Sequence, residues 1–204
     1  MNKILLATNN PHKVEKLSWI VNGYFDKVET PDDTKIDIVI DESAATFVEN
    51  ATIKAVAYSK AYKGYAIATD GGVDIPALGS QWDSLRTKRF AGEDTTDEQR
   101  IQSLLTLMSS KHGAERAMNW REAIAIANNG RCIFSVEVEG VHGVLQETFD
   151  PKKYKPGIWV CSVWYFPEIG KNFFDMTEEE KEHVEQSWHK LYHQTRDFLA
   201  KNNY

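Results

Sequence analysis

A chain of 204 residues, 42% hydrophobic and 26% charged, is long enough to bury a sizeable core and too apolar to remain disordered. Its net charge of -6 argues against wrapping polymeric nucleic acid, but leaves room for a small anionic substrate, since local lysines and a metal override bulk charge. No apolar run approaches the roughly 18 residues of a membrane span, and the apolar stretch near the N-terminus is too short for a signal peptide. Two isolated cysteines, Cys132 and Cys161, fit no zinc spacing and suit a reduced, cytoplasmic protein better than a disulfide scaffold.

In chain order, "NKILLAT" predicts a buried strand. Asn10 and Pro11 then supply an N-cap and a first helical residue for the periodic run Val14, Leu17, Trp19, Ile20, Val21. "IDIVID" predicts a second strand. Thr46–Glu49, "TFVE", is a capping-box pattern ahead of an alanine-rich helix of about 15 residues. "YAIAT" predicts a third strand, ending at Asp70 and two glycines. "DTTDEQRIQSLLTLM" reads as a capped helix. "AMNWREAIAIANNGRCIFSVEVEG" predicts two long strands around a hairpin turn at Asn128-Asn129-Gly130. "GVHGVLQETF" and "GIWVCSVWYF" add strands. Thr177–Glu180 opens a final helix, expected from about Glu178 to Leu199. Strands and helices alternate in the N-terminal half, and the middle is antiparallel. The fold class expected is therefore α/β: two lobes around an elongated mixed β-sheet flanked by helices, with the substrate cleft between the lobes. Residues 1–204 are expected to form a single domain of two lobes.

Three constellations carry chemistry. Thr8 to Lys13, "TNNPHK", places Thr8, Asn9 and Asn10 at a helix N-terminus and a lysine in the first turn, where the helix dipole disfavours it unless an anion binds. The bland alternative is a capped helix with a solvated lysine, and the local pattern alone favours it. Next, Asp41, Glu42, Glu49 and Asp70 cluster after predicted strands or in a first helical turn. A Mg²⁺ ion takes one or two carboxylates plus substrate phosphates. Glu42 and Asp70 are the candidates for it; Glu49 reads as a cap and Asp41 as a turn residue. Lys54 lies one turn beyond Glu49. Finally, "SLRTKRFAG" gathers Arg86, Lys88 and Arg89 in an otherwise acidic chain. Trp159 and Trp164, five apart in one predicted strand, should face opposite sides, so that one can fill the core and the other can face a pocket and stack on a planar ligand, although core is the usual fate of each taken singly.

These pieces, in this order, resemble the inosine triphosphate pyrophosphatases, which act on non-standard purine triphosphates. The matching segments are "LLATNNPHKVEKL", "DESAATFVENATIKA", "YAIATDGGVDIPALG" and "RFAG". The family patterns there are T-x-N-x-x-K-x-x-E, E-T-G-x-[ST]-F-x-E-N-A-x-x-K-A, A-[DE]-D-[ST]-G-L-x-[VI]-x-A-L-G-G and S-x-R-[FY]-A-G. "PEIGKNFFDM" and "EEEK" extend the likeness to the C-terminal part. The resemblance implies Mg²⁺-dependent hydrolysis of a nucleoside triphosphate to the monophosphate and pyrophosphate, and a homodimer. It implies that Thr8, Asn9, Asn10 and Lys13 hold the triphosphate, that Lys54 and Lys181 contact phosphate, and that Glu42 and Asp70 bind Mg²⁺. Asp70 would also orient or deprotonate the attacking water. Gly71 stands where the family has a substrate-touching Ser or Thr. Arg89 falls in the basic motif, and Trp159 in the base-pocket segment.

The departures are as informative. The acidic pair before the family's Ser-Gly is here Thr69-Asp70. The base-pocket pattern F-G-Y-D-P aligns with Ile158-Trp159-Val160-Cys161-Ser162, and S-H-R with Glu185-Gln186-Ser187. The phosphate and metal half is kept while the base-reading half is replaced. That split implies the same reaction on another base. The alternatives are a nucleotide-binding sensor or partner protein with little turnover, and the family's standard activity with base contacts supplied by other residues.

Overall fold

The computed structural model describes residues 2–87, 90–92 and 94–202. Asn10 and Pro11 act as predicted. The Asn10 side chain accepts from the His12 and Lys13 amides and starts helix α1 at Pro11–Val21, directly after strand β1, Lys3–Leu6. Strand β2 (Lys27–Glu29) and the short helix α2 (Pro31–Thr34) follow. Thr46 caps helix α3, Phe47–Tyr62, by accepting from the Glu49 amide. Strand β3 runs Tyr65–Asp74 and helix α4 Asp97–Leu107. A two-residue turn at Asn129 and Gly130, both with positive φ, joins strands β4 (Ala117–Asn128) and β5 (Arg131–Leu145). Such a turn matches the right-handed twist of its flanking strands. Strands β6 (Trp164–Phe166) and β7 (Lys171–Asn172) precede helices α5 (Glu178–Val184) and α6 (Gln186–Lys201).

Among the described residues seven strands form one sheet, in the order β2-β1-β3-β4-β5-β6-β7. β1 is parallel to β2 and to β3, whereas β5–β6 and β6–β7 are antiparallel. The chain is thus α/β, with a mixed sheet and helices beside it, as the alternation predicts.

Two compact units divide the chain. The first comprises Met1–Gly71, Glu122–Val138 and Ser187–Tyr204. Its core joins Ile4 and Leu6 of β1, Ile67 of β3 and Ile124 and Ile126 of β4 to Leu17, Ile20 and Val21 of α1 and to Trp188, Leu191 and Leu199 of α6. Each such side chain contributes about 1.5–3 kcal/mol by leaving water. The second unit comprises Gly72–Arg121 and Glu139–Gln186. Its core gathers Ile101, Leu104 and Met108 with Trp159, Val163, Trp164 and Phe166. A Cβ at Gly143 would come within 1.9 Å of Trp164 Nε1, so that glycine is what lets the indole lie on β5.

Five expectations change. "GVHGVLQETF" is not a strand of its own: residues 140–145 continue β5, and residues 146–149 are not strand. "IDIVID" is not a strand: residues 36–41 carry no regular structure, none of them is buried, and Val39 is fully exposed. Its alternation has no apolar face to cover, and the parallel partner of β1 is Lys27–Glu29 instead. β3 does not stop at Asp70; it continues through both glycines to Asp74. The final helix is two helices, because Glu185 leaves helical geometry at ψ 33°, with neither Pro nor Gly to announce the break. In "GIWVCSVWYF" only Trp164–Phe166 is strand; Trp159–Val163 is a 3-10 turn, and both tryptophans are buried in the second unit's core.

Candidate functional site

Parallel pairing of β1 with β3 matches Leu6 with Ile67, and the Ala7 amide donates to the Ile67 carbonyl at 2.8 Å. β1 ends at Leu6, and the chain turns at Ala7, with the Thr8 amide donating back to the Leu6 carbonyl at 2.7 Å. The turn after β1 therefore lies beside the stretch of β3 that holds Asp70. In the turn, Thr8 Oγ1 accepts from the Asn10 amide at 3.1 Å, and Asn10 Oδ1 accepts from the His12 amide at 3.0 Å and the Lys13 amide at 3.4 Å. α1 carries no acid in its first turn, so Lys13 is the only full charge among its first three residues. Asn9 is engaged elsewhere: its amide donates to Asp32 Oδ1 at 2.9 Å and its carbonyl oxygen accepts from the Asp32 amide.

Asp70 and Gly71 form a half-buried interval of β3 between the buried stretches Ala66–Thr69 and Gly72–Val73. Burial pushes the Asp70 carboxyl above the usual carboxylate range; Lys13, Lys54 and the Asn50 amide pull the other way, and Glu42 pushes up again. The three charged neighbours that tune Asp70, namely Lys13, Lys54 and Glu42, are thus the sequence's own phosphate and metal candidates. Lys54, on α3, forms an ion pair with Glu42 and donates to the Thr69 carbonyl at 3.4 Å. It ties the loop before α3 to β3. Asn50, one turn before Lys54, is fully buried. Its Oδ1 accepts from the Ala44 amide at 3.1 Å. Its Nδ2 makes no bond of full hydrogen-bonding geometry, yet lies near enough to Asp70 to lower its pKa.

A further carboxylate belongs here. Glu122, on β4, is fully buried, accepts the Thr69 hydroxyl, and has Oε1 3.7 Å from Lys13 Nζ. Lys13, Lys54, Glu42, Asp70, Asn50 and Glu122 all belong to the first unit. Among the described residues no group of three His, Cys, Asp or Glu side chains is placed to enclose a metal. Two carboxylates, one half-buried and repelled by the other, fit instead a hard cation held jointly with phosphate oxygens, the arrangement Mg²⁺ favours.

Of the remaining candidates Gly71 belongs to the first unit, and the others lie in the second unit or outside the described residues. Trp159 is buried there, its ring stacked near Phe90 at 6.1 Å between centroids. Lys181, on α5, pairs with Glu178 at 2.7 Å and keeps a quarter of its side chain exposed. Lys88 and Arg89 lie outside the described residues. Gly71 sits in β3 directly after Asp70.

A family model of the Ham1 family matches residues 4–189, more than nine-tenths of the chain. The chain belongs to the Ham1 family. A dITP/XTP pyrophosphatase of Thermoanaerobacter sp. (strain X514) is 30% identical over 183 residues, covering 89% of each chain. The dITP/XTP pyrophosphatase of Escherichia coli (strain K12) is 28% identical over 182 residues, covering 89% of this chain and 90% of its own. Among solved structures, a HAM1 protein from Coxiella burnetii superposes with a TM-score of 0.80 at 24% identity, covering 97% of this chain and all of that one. The Ham1 protein of Staphylococcus aureus follows at 0.79 and 22%, covering 98% of this chain and all of its own. Family and fold are thus those the sequence motifs predict.

Sequence reasoning missed Glu122 and Asn50. Asn50 stood within a quoted motif without a role. Glu122 carried one signal, an acid at the start of the apolar run Ala123–Ala127, all of it buried.

Proposed function

We propose that this Ham1-family enzyme, a nucleoside triphosphate pyrophosphatase, uses Mg²⁺ to cleave between the α- and β-phosphates of a nucleotide whose base is neither hypoxanthine nor xanthine. The observation that supports the reaction is the convergence on Asp70 of two lysines and a second carboxylate from three separate elements. Lys13 and the turn at Thr8–Asn10 receive phosphate oxygens, with Asn9 tied to Asp32 and shaping the turn. Lys54 is shared between Glu42 and an incoming phosphate; Lys181 and Arg89 supply further cationic contacts. Glu42 and Asp70 hold the cation, whose chemistry is to neutralise phosphate charge. A water oxygen attacks the α-phosphorus, Asp70 takes its proton, and the bond to the bridging oxygen breaks, releasing pyrophosphate. A carboxyl raised by burial is a better proton acceptor than a solvated aspartate. Gly71, with no side chain, leaves room beside it for substrate. The same reading places the enzyme in the cytoplasm as a homodimer.

The altered base rests on the replaced segments. A keto purine presents O6 as an acceptor and is read by a fixed donor, for which Gln186 and Ser187 replace the family's histidine and arginine. Ser187 is buried at the start of α6, and Glu185, at the helix break, adds an acceptor. Leaving one polar edge unpaired in a closed pocket costs roughly 1–3 kcal/mol, a ten- to hundred-fold loss. Steady-state kinetics on dITP, XTP, ITP and the common triphosphates at one Mg²⁺ concentration test this. The three substrates with hypoxanthine or xanthine as base, dITP, ITP and XTP, are expected to rank low. If one of them has the highest kcat/KM, at the level of an efficient enzyme, the altered-base reading is wrong.

A further inference from the structure

Glu122 has no part in the reaction described above, yet it is the most deeply buried charge at the site. Its side chain is 1% exposed while that of Lys13 is 24% exposed. A buried carboxylate cannot be compensated by water, so it draws strongly on whatever cation reaches it. Lys13 reaches it, with Nζ 3.7 Å from Oε1. The same ammonium acts on Asp70, the residue next to Thr69, and Thr69 donates its hydroxyl to the same Oε1 of Glu122. One lysine therefore faces two carboxylates. An ammonium settled on Asp70 would occupy the place of a metal ion. The better-desolvated carboxylate wins the contest for it.

We propose that Glu122 is a positioning residue that holds Lys13 back from Asp70 and so leaves Asp70 open to a divalent cation. The Thr69 hydroxyl fixes the orientation of the Glu122 carboxylate and, through the backbone, couples it to Asp70. An acid at position 69 would set two carboxylates within hydrogen-bonding distance, so a neutral donor is the residue that suits Glu122. The inference rests on Asp70 being a metal ligand, as read above, and is independent of which base is bound.

The test is a binding cycle with Mn²⁺ alone, without nucleotide, read from the electron paramagnetic resonance signal of the free ion. The proteins are wild type, Glu122→Gln, Lys13→Ala and the double variant, each checked for fold by circular dichroism. Glu122→Gln releases Lys13 to Asp70 and is expected to weaken Mn²⁺ binding about ten-fold. In the Lys13→Ala background, with no ammonium to release, the same change should shift binding by less than about two-fold. Equal weakening in both backgrounds would mean that Glu122 acts only as a distant negative charge, and would overturn the proposal. So would Mn²⁺ binding unaffected by Glu122→Gln, or no Mn²⁺ binding by the wild type. Glu122→Asp keeps the charge but withdraws it from Lys13; it is expected to fall between wild type and Glu122→Gln, and it carries the test if the glutamine variant does not fold. Pyrophosphate release by the wild type is measured alongside. Its absence with the cycle intact would reject the hydrolase reading and leave the role of Glu122 standing.

Discussion

Lys13→Ala separates the lysine's two partners. At 3.7 Å the Coulomb attraction between Lys13 and Glu122 is about 4 kcal/mol at an effective dielectric near 20. Desolvation, lost side-chain entropy and the solvent that reaches a quarter of Lys13 reduce that to a net of about 1–3 kcal/mol. The variant should therefore lower the urea midpoint by about 0.5–1 M, although Lys13 sits in the first turn of a helix where a positive charge is otherwise unfavourable. Without substrate the loss comes from Glu122; with substrate it comes from phosphate. Isothermal titration calorimetry with tripolyphosphate should show affinity falling about ten- to a hundred-fold, while binding of the matching nucleoside barely changes. Equal losses for nucleoside and tripolyphosphate would refute the phosphate assignment. An unchanged urea midpoint would refute the ion pair as a stabilising contact.

Asp70→Asn should abolish turnover across a Mg²⁺ titration and leave the melting temperature of the metal-free protein near neutral pH unchanged or higher. Burial raises the folded carboxyl above its unfolded value. Between those two values the folded chain keeps a proton that the unfolded chain has lost, so stability falls as pH rises, and above both the charge is a net cost that the amide removes. A melting temperature lower by several degrees would contradict this. Gly143→Ala forces a Cβ against the Trp164 ring and should cost about 1–3 kcal/mol in urea unfolding, with the tryptophan near-ultraviolet dichroism altered. Burial pushes the Cys161 thiol up to about 12, even though part of the residue reaches solvent. On a Cys132→Ser background, iodoacetamide at about pH 8 should therefore label the native chain far more slowly than the urea-unfolded one.

What the sequence disclosed and what it withheld divide by range of interaction. The starts of α1, α3, α4 and α5 were legible because Asn10, Thr46, Thr96 and Thr177 cap them through bonds spanning only two or three residues. The Asn129-Gly130 hairpin is equally local. "IDIVID" misled because period-two apolarity marks a strand only when a core lies against one face. Asp70 was found by its residue type and neighbours, but its strand continues past the glycines because sheet pairing, not local sequence, decides where β3 ends. Glu122 was out of reach for the same reason. Its partner Thr69 is 53 residues away, and only the neighbouring of β3 and β4 in the sheet makes that pair. Asn50 reads as an ordinary helical residue until α3 is placed over Asp70.

Product analysis of a nucleoside triphosphate pool, with phosphorus NMR before and after adding Mg²⁺, tests the central claim most directly. The account predicts that wild-type protein releases pyrophosphate and nucleoside monophosphate in equal amounts only when Mg²⁺ is present, and that Asp70→Asn releases neither. Orthophosphate and diphosphate nucleosides as the products, or pyrophosphate formed equally well by Asp70→Asn, would contradict it.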